Sequence, residues 1–319
     1  MSGTAFSTLV AVDVDEVNVA LPGVELGFSR IDRGRGNTNF RSWIHSDVSI
    51  HHATVGFSMV GQVAIGNSTL AMVTPLRVAA TLTQWEGEKA VEGGFSVYGP
   101  GADHHAMDAA GWELSILCAD IRALERTAET LGRELGDWDG RRIRGHGPPK
   151  AMFSAEFTEL DDGGDGSEVL RQVVDALSAT SDYDSSRRGI PSTEIVGRVN
   201  DHLEASGAWF PQIVDLCIAA AVSERRLRSA FIDCYGMPPS RYLRSRALSS
   251  AHQILRQRSP EWDSVSTIAL AHGFRHLSNF ARYYRQAYGS TPSEAFRSEA
   301  PIAGYGCSAT APGPSRLRP

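Results

Sequence analysis

Apolar and polar positions along the 319-residue chain change period twice, and each change predicts a different kind of structure. Across 24–117 the apolar residues fall in short runs divided by glycine or charged turns, at 24–31, 39–44, 55–60, 70–75, 79–85, 94–98 and 112–118. Many of these runs are rich in Val, Phe, Trp and Thr, as strands are, and their regular spacing predicts an all-β barrel or sandwich. Residues 1–20 carry no comparable signal and are expected to be weakly structured. From Asp120 the period turns helical, with Leu124, Ala128 and Leu131 on one stripe and Val169, Val173, Val174 and Leu177 on another. A glycine- and aspartate-rich break at 161–166 separates the two, and 181–189 reads as an interdomain linker.

Beyond the linker one pattern is written twice. Phe231, Tyr235, Gly236, Pro239 and Ser240 are echoed fifty-three positions later by Tyr284, Tyr288, Gly289, Pro292 and Ser293. Upstream, Ile213, Leu216 and Cys217 match Val265, Ile268 and Ala269 at an offset of fifty-two, so one supersecondary unit is used twice. In the first unit those three residues stripe a short helix, Ala221-Val222 carries the turn, and Ser223 caps a second helix whose buried face is Leu227 and Phe231. Arg225, Arg226, Arg228 and Ser229 are left facing out. In the second unit Gly273-Phe274 makes the turn, Phe280 and Tyr284 anchor the trailing helix, and Leu277, Ser278, Asn279 and Arg282 face out. Ala221 stands where glycine would ease the first turn, at a cost of roughly 1 kcal/mol if the backbone there is left-handed.

A short buried helix followed by one whose exposed N-terminal half holds Arg, Asn and Ser is what a helix-turn-helix presents to the DNA major groove. Arg pairs bidentately with guanine O6 and N7, and Asn with adenine N6 and N7, whereas Leu277 offers only packing against a thymine methyl. The bland alternative is a pair of ordinary solvated faces, but a second copy at shared spacing argues against it. Between the units, 238–258 has no internal glycine, and its apolar residues Tyr242, Leu243, Leu248, Ala251, Ile254 and Leu255 recur at roughly helical spacing. One helix of about twenty residues spans roughly 30 Å, close to the ~34 Å turn of DNA. It would hold two reading helices in successive major grooves on one face.

Charge sharpens this division. Residues 1–191 hold 16 basic and 27 acidic groups, whereas 223–297 hold 12 and 5, within a chain of net charge −6. Positive charge therefore gathers where phosphates would be met. The four cysteines, at 118, 217, 234 and 307, show no paired spacing and suggest neither a zinc site nor a disulfide framework. The start lacks the basic lead of a signal peptide, and no stretch approaches the roughly twenty apolar residues of a membrane span. A cytoplasmic, nucleoid-associated protein is expected.

The repeated stretch resembles the C-terminal DNA-binding domain of AraC/XylS-type transcription regulators. The residues that carry the likeness are Ser223, Leu227 and Phe231, then Gly236, Pro239, Tyr242 and Leu243. In the second copy they are Ile268, Ala269, Gly273 and Phe274, followed by Phe280, Arg282, Tyr284, Gly289, Pro292 and Ser293. The resemblance implies a seven-helix fold, promoter DNA as partner, and contacts to bases or adjacent phosphates from Arg225, Arg228, Ser229, Leu277, Ser278, Asn279 and Arg282. It also implies RNA polymerase as a partner and activation as the sense of control. More weakly, Gly94 to Gly101 and Gly111 to Leu117 are similar to the closing strands of the cupin-like regulatory domain of that family. That likeness implies a module that senses a small molecule or forms a homodimer. Trp85, Tyr98, His105 and Trp112 are its candidate pocket residues, with plain barrel packing as the alternative for each.

The fold class expected is therefore α+β in two domains. A cupin-like β-barrel with flanking helices occupies 1–180, followed by a linker at 181–191, an all-α domain with two helix-turn-helix units at 192–299, and a disordered tail at 300–319. No cofactor and no catalytic residue is expected. The rival reading is a cupin-type metalloenzyme carrying a DNA-binding domain. Its ligands would come from His51-His52 and His104-His105, but successive strand residues point to opposite faces, so each pair offers one ligand at most. His272 and His276 fall within the second helix-turn-helix, where His276 reads as a residue of the N-cap region.

Overall fold

The computed structural model describes residues 4–18, 20–34, 36–78, 83–85, 88–92, 94–135, 142–146, 166–178, 191–257 and 262–297. The expected tail, all of the linker but Pro191, all of the 161–166 break but Gly166, and part of the 79–85 run lie outside the described residues. The elements in chain order are β1 (Thr4–Ala11), α1 (Val14–Val17), β2 (Val24–Arg30), β3 (Thr38–His45), β4 (Val48–Thr54), β5 (Met59–Ile65) and β6 (Thr69–Arg77). Then come β7 (Gln84–Trp85), β8 (Glu88–Lys89), β9 (Gly94–Tyr98), β10 (Asp103–Asp108), β11 (Glu113–Asp120), α2 (Ile121–Leu131), β12 (Arg142–His146) and α3 (Gly166–Ser178). The helical part holds α4 (Ser192–Ser206), α5 (Ile213–Ala220), α6 (Glu224–Tyr235), α7 (Pro239–Gln257), α8 (Val265–Ala271), α9 (Leu277–Tyr288) and α10 (Pro292–Arg297).

The N-terminal half is a pair of antiparallel sheets, one of seven strands in the order β1-β3-β4-β11-β6-β9-β12 and one of five in the order β2-β5-β10-β7-β8. Among the described residues the expected barrel is built of two facing sheets. Because side chains alternate across a strand, each sheet faces two ways. Inward-facing Phe28, Phe40, Val63, Trp85, Tyr98, Trp112, Leu114 and Ile116 form the core between the sheets. On the outer face of the larger sheet, Trp43, Ile50, Met72 and Leu117 pack under α2 and α3 through Leu124, Val169 and Val173. Asp120 caps α2 by accepting from the Ala123 N–H at 3.0 Å.

The sequence reading is corrected in three places. Within residues 1–20, expected to be weakly structured, Thr4–Ala11 form β1 and Val14–Val17 form α1, and β1 pairs along its whole length with β3. The run at 55–60 is mostly the connection into β5 rather than a strand. β4 and β10 were hidden, because His51-His52 and Asp103-His104-His105 break their apolar alternation. The β2–β5 crossing is so close that a side-chain carbon added at Gly61 would sit 2.2 Å from the Gly27 carbonyl oxygen, which explains a glycine inside a strand.

Seven helices, α4–α10, make the C-terminal half among the described residues. α7 runs for 19 residues, matching the helix expected at 238–258, and each of its halves belongs to a different core. Tyr242 and Leu243 pack with Leu216, Leu227 and Phe231 of the first unit. Ala247, Leu248, Ala251 and Leu255 pack with Ile268, Phe274, Phe280 and Tyr284 of the second.

The outer face of the five-stranded sheet is covered by this helical half, with Val60 buried among α4 and α6 residues. A polar network crosses the junction. Asn200 donates to Gln62 Oε1 at 3.2 Å and accepts from the Tyr242 hydroxyl at 3.0 Å, while Tyr235 bonds His105 Nδ1 at 3.0 Å. A second tie starts at Asp13, just before α1. Its buried carboxylate meets His252 Nε2, lies 3.6 Å from Arg256 and 3.9 Å from Arg30, and the other ring nitrogen of His252 is bonded to the Tyr284 hydroxyl on α9. Burial pushes the Asp13 carboxyl up. The hydrogen bond and charge of His252, the Val14 N–H and Arg30 outweigh that and hold it below its ordinary value.

Candidate nucleic-acid interface

Each helix-turn-helix unit is shaped by the residues at its turn. Ala221 ends α5 with φ +55°, the one non-glycine residue in the left-handed region among those described. The next helix starts at Ser223, whose hydroxyl accepts from the Arg226 N–H at 3.3 Å. In the second unit the same turn is made by Gly273 at φ +78°, where an added side-chain carbon would lie 2.6 Å from the Phe210 ring. There Ser264 caps α8 by accepting from the Thr267 N–H at 3.1 Å, and His276 opens α9 without a side-chain cap.

Behind the turns both trailing helices are anchored as the spacing predicts: Leu227 and Phe231 in α6, and Phe280 and Tyr284 in α9, are fully buried. Their opposite faces are open. Arg225, Arg228 and Ser229 are exposed on α6, and Leu277, Ser278, Asn279 and Arg282 on α9. Arg282 lies 4.5 Å over the Tyr283 ring and donates to the Asn279 side-chain Oδ1 at 3.4 Å, so two groups suited to base recognition stand side by side. Arg226 differs. It is half-buried and bonds the Ser192 hydroxyl at 3.1 Å, with Asp233 at 3.7 Å, so it ties α6 to the start of α4 rather than standing free beside the other arginines. Sequence periodicity placed it outward, since a partner on another helix leaves no mark in the local pattern.

Of the four candidate pocket residues of the N-terminal half, Trp85, Tyr98 and Trp112 share the core between the sheets and His105 does not. Trp85 lines an apolar cavity of about 60 Å³ between the sheets, alongside His104 and Asp108. Trp112 packs edge-on against Trp85 at 5.2 Å, and Tyr98 stacks on His104 at 4.0 Å, both within the same core. His105 points the other way, into the junction with the helical half. There it also bonds the Thr193 carbonyl at 3.2 Å, and burial pushes its pKa down to about 4. The group missed by the sequence reading is Asp108, while His104, weighed there only as a metal ligand, lines the same cavity. Asp108 accepts from the Trp85 indole N–H at 3.1 Å, and burial, partly offset by that bond, raises its pKa to about 7.

The histidine pairs split as strand alternation requires. His51 is buried with its two ring nitrogens bonded to Ser42 at 2.8 Å and Ser49 at 2.9 Å, and burial lowers its pKa to about 4. Among the described residues no group of three or more His, Cys, Asp or Glu side chains is placed to hold a metal ion, and no helix is long and apolar enough to cross a membrane.

Paired helix-turn-helix units on the two halves of one spanning helix, each with an arginine-bearing open face, make the C-terminal half similar to the DNA-binding domains of AraC-type regulators. The family described as a helix-turn-helix domain matches residues 216–298. Similar proteins include the XylDLEGF operon transcriptional activator of Pseudomonas putida, 31% identical over 129 residues that cover 40% of this chain and 39% of that protein. Another is the probable thc operon regulatory protein of Rhodococcus erythropolis, 32% identical over 124 residues that cover 38% and 37%. The alignment thus spans about two fifths of the length of these relatives. Among solved structures, an AraC-type regulator from Chromobacterium violaceum is 30% identical, covering 32% of this chain and 88% of that one, at a TM-score of 0.29. The Vibrio cholerae protein ToxT is 11% identical, covering 86% and 98%, at 0.30.

Proposed function

We propose that the protein is a sequence-specific, DNA-binding transcription regulator of the activator kind, which grips two successive major-groove segments of promoter DNA from one polypeptide. The observation that carries this reading is the division of α7 between two cores, each of which backs a helix with an open face of base-pairing side chains. At about 1.5 Å per residue α7 is roughly 28 Å long, near the ~34 Å that separates equivalent positions in successive grooves. Arg225, Arg228 and Ser229 serve the first segment, and Leu277, Ser278, Asn279 and Arg282 the second. RNA polymerase is the downstream partner, the N-terminal half senses a small-molecule effector and supports a homodimer, and the protein works on the nucleoid in the cytoplasm without catalysing a reaction.

The test is selection of binding sites from random DNA by the full chain, followed by affinity measurements on the selected site and its single-base variants. Arg282→Ala should cost roughly 1–3 kcal/mol on the selected site and flatten preference at one or two base pairs. Equal weakening on every sequence would make Arg282 a phosphate contact instead, and failure to select any sequence would overturn the reading.

A further inference from the structure

The cavity between the sheets, at about 60 Å³, is far smaller than a metabolite, whereas one of about 250 Å³ opens where the two halves of the chain meet. Its floor is the outer face of the five-stranded sheet, with Gly27 and Ser29 of β2 and Gln62 of β5. Asp15 of α1, Glu204 of α4 and Arg246 and Gln253 of α7 stand around it. That volume lies just under the roughly 300–1,000 Å³ of drug-sized pockets, so the space suits a metabolite of amino-acid size. Every wall that carries charge comes from a different element, and both halves of the chain contribute.

The charged groups are uncommitted. Arg246 lies with its guanidinium 5.3 Å from the Trp209 ring centroid, an arrangement that satisfies its flat face and leaves its edge N–H groups to donate. No hydrogen bond or ion pair joins Arg246, Asp15 or Glu204 to another described residue. Burial, with the nearby Asp13 charge, pushes the Asp15 carboxyl up to about 6, and the charges of His252 and Arg256 offset only part of that. That is the state of a desolvated carboxylate that a cation would relieve. By contrast the amide of Asn200 and the hydroxyl of Ser249 in the same walls are already bonded within the protein.

One cation and two carboxylates lining a small polar space select for charge of both signs. A simple anion would meet Arg246 but also face Asp15 and Glu204; a simple amine would satisfy the carboxylates and leave Arg246 opposed to it. We propose that this cleft binds a small zwitterion of the amino-acid class, with its carboxylate on Arg246 and its ammonium group between Asp15 and Glu204. Bound there it bridges α1 and the β2–β5 face to α4 and α7, and so sets how firmly the N-terminal half holds the helix on which both reading units are mounted. This rests on the reading of the protein as an effector-controlled regulator and names the effector's class and place.

The experiment uses the full chain, with each of the twenty standard amino acids tested singly by thermal shift and the positive ones by calorimetry. At least one amino acid should bind saturably. Its affinity should fall tenfold or more in Arg246→Met and in Glu204→Gln, both checked for folding by circular dichroism. The corresponding acid without its amino group and the amine without its carboxyl should each bind at least tenfold more weakly. Binding by no amino acid, equal binding by the acid that lacks the amino group, or binding indifferent to both substitutions would each overturn the proposal. DNA affinity is measured in parallel on the selected site. Specific DNA binding without any amino-acid binding would sink this inference alone, and amino-acid binding without specific DNA binding would sink the regulator reading alone.

Discussion

Ala221 carries the turn of the first helix-turn-helix unit. Alanine at this turn was expected to cost stability only if the backbone is left-handed, and the structure holds it there at φ +55°. An alanine in that region costs roughly 1 kcal/mol relative to glycine. Ala221→Gly should therefore raise stability by about that amount, read from denaturant midpoints with the slope unchanged; an unchanged or lower midpoint would show that the turn is relaxed around alanine. Asp108 could not be read this way, since its strand was hidden and its burial depends on β7 and β5 folding against β10. Its native pKa of about 7 lies above the ordinary 3.8, so the native state holds a proton that the unfolded chain releases between those values. Stability from this group is greatest below about pH 4 and is lost as pH rises to 7, by up to roughly 4 kcal/mol at about 1.4 kcal/mol per unit. Asp108→Asn should thus stabilise the protein at pH 8 and hardly at all at pH 4, and an equal effect at both would contradict the assignment.

At the scale of elements, the helices were legible and the strands less so. Helices α5 to α9 announce themselves because each buries a single stripe at a fixed period, and α7 because nothing interrupts it. Strands β4 and β10 failed to do so because both of their faces are covered, by the core on one side and by helices on the other. Polar residues such as His51 and His105 are tolerated there once bonded. Strand β1 was missed for the opposite reason: it is an edge strand, with Phe6 and Val10 about half exposed, so its alternation says little. The second unit depends on its turn as the first does not. Gly273→Val would place a branched side chain at φ +78° and against Phe210, costing strain in the left-handed region and displacement of that ring. It should lower the melting temperature and abolish specific DNA binding, with an unchanged melting curve as the contrary result.

For the whole molecule, what the sequence leaves unreadable is the junction. Arg30 and Ser249 are bonded across 219 positions, and Asp13 meets His252 and Arg256 from the far end of the chain; no local pattern foretells such pairs. The division into a β half and a duplicated helical half was legible, because periodicity and charge both change between them. The covering of the smaller sheet by α4, α6 and α7 was not. It matters because it joins the N-terminal half to α7, the element that sets the spacing of the two reading helices. The account stands on that spacing, and hydroxyl-radical footprinting of the full chain on its selected site tests it most directly. Two protected segments, their centres about ten base pairs apart on one face of the duplex, are expected for each protomer, with Arg228→Ala erasing one and Arg282→Ala the other. A single protected segment, or two on opposite faces, would contradict it.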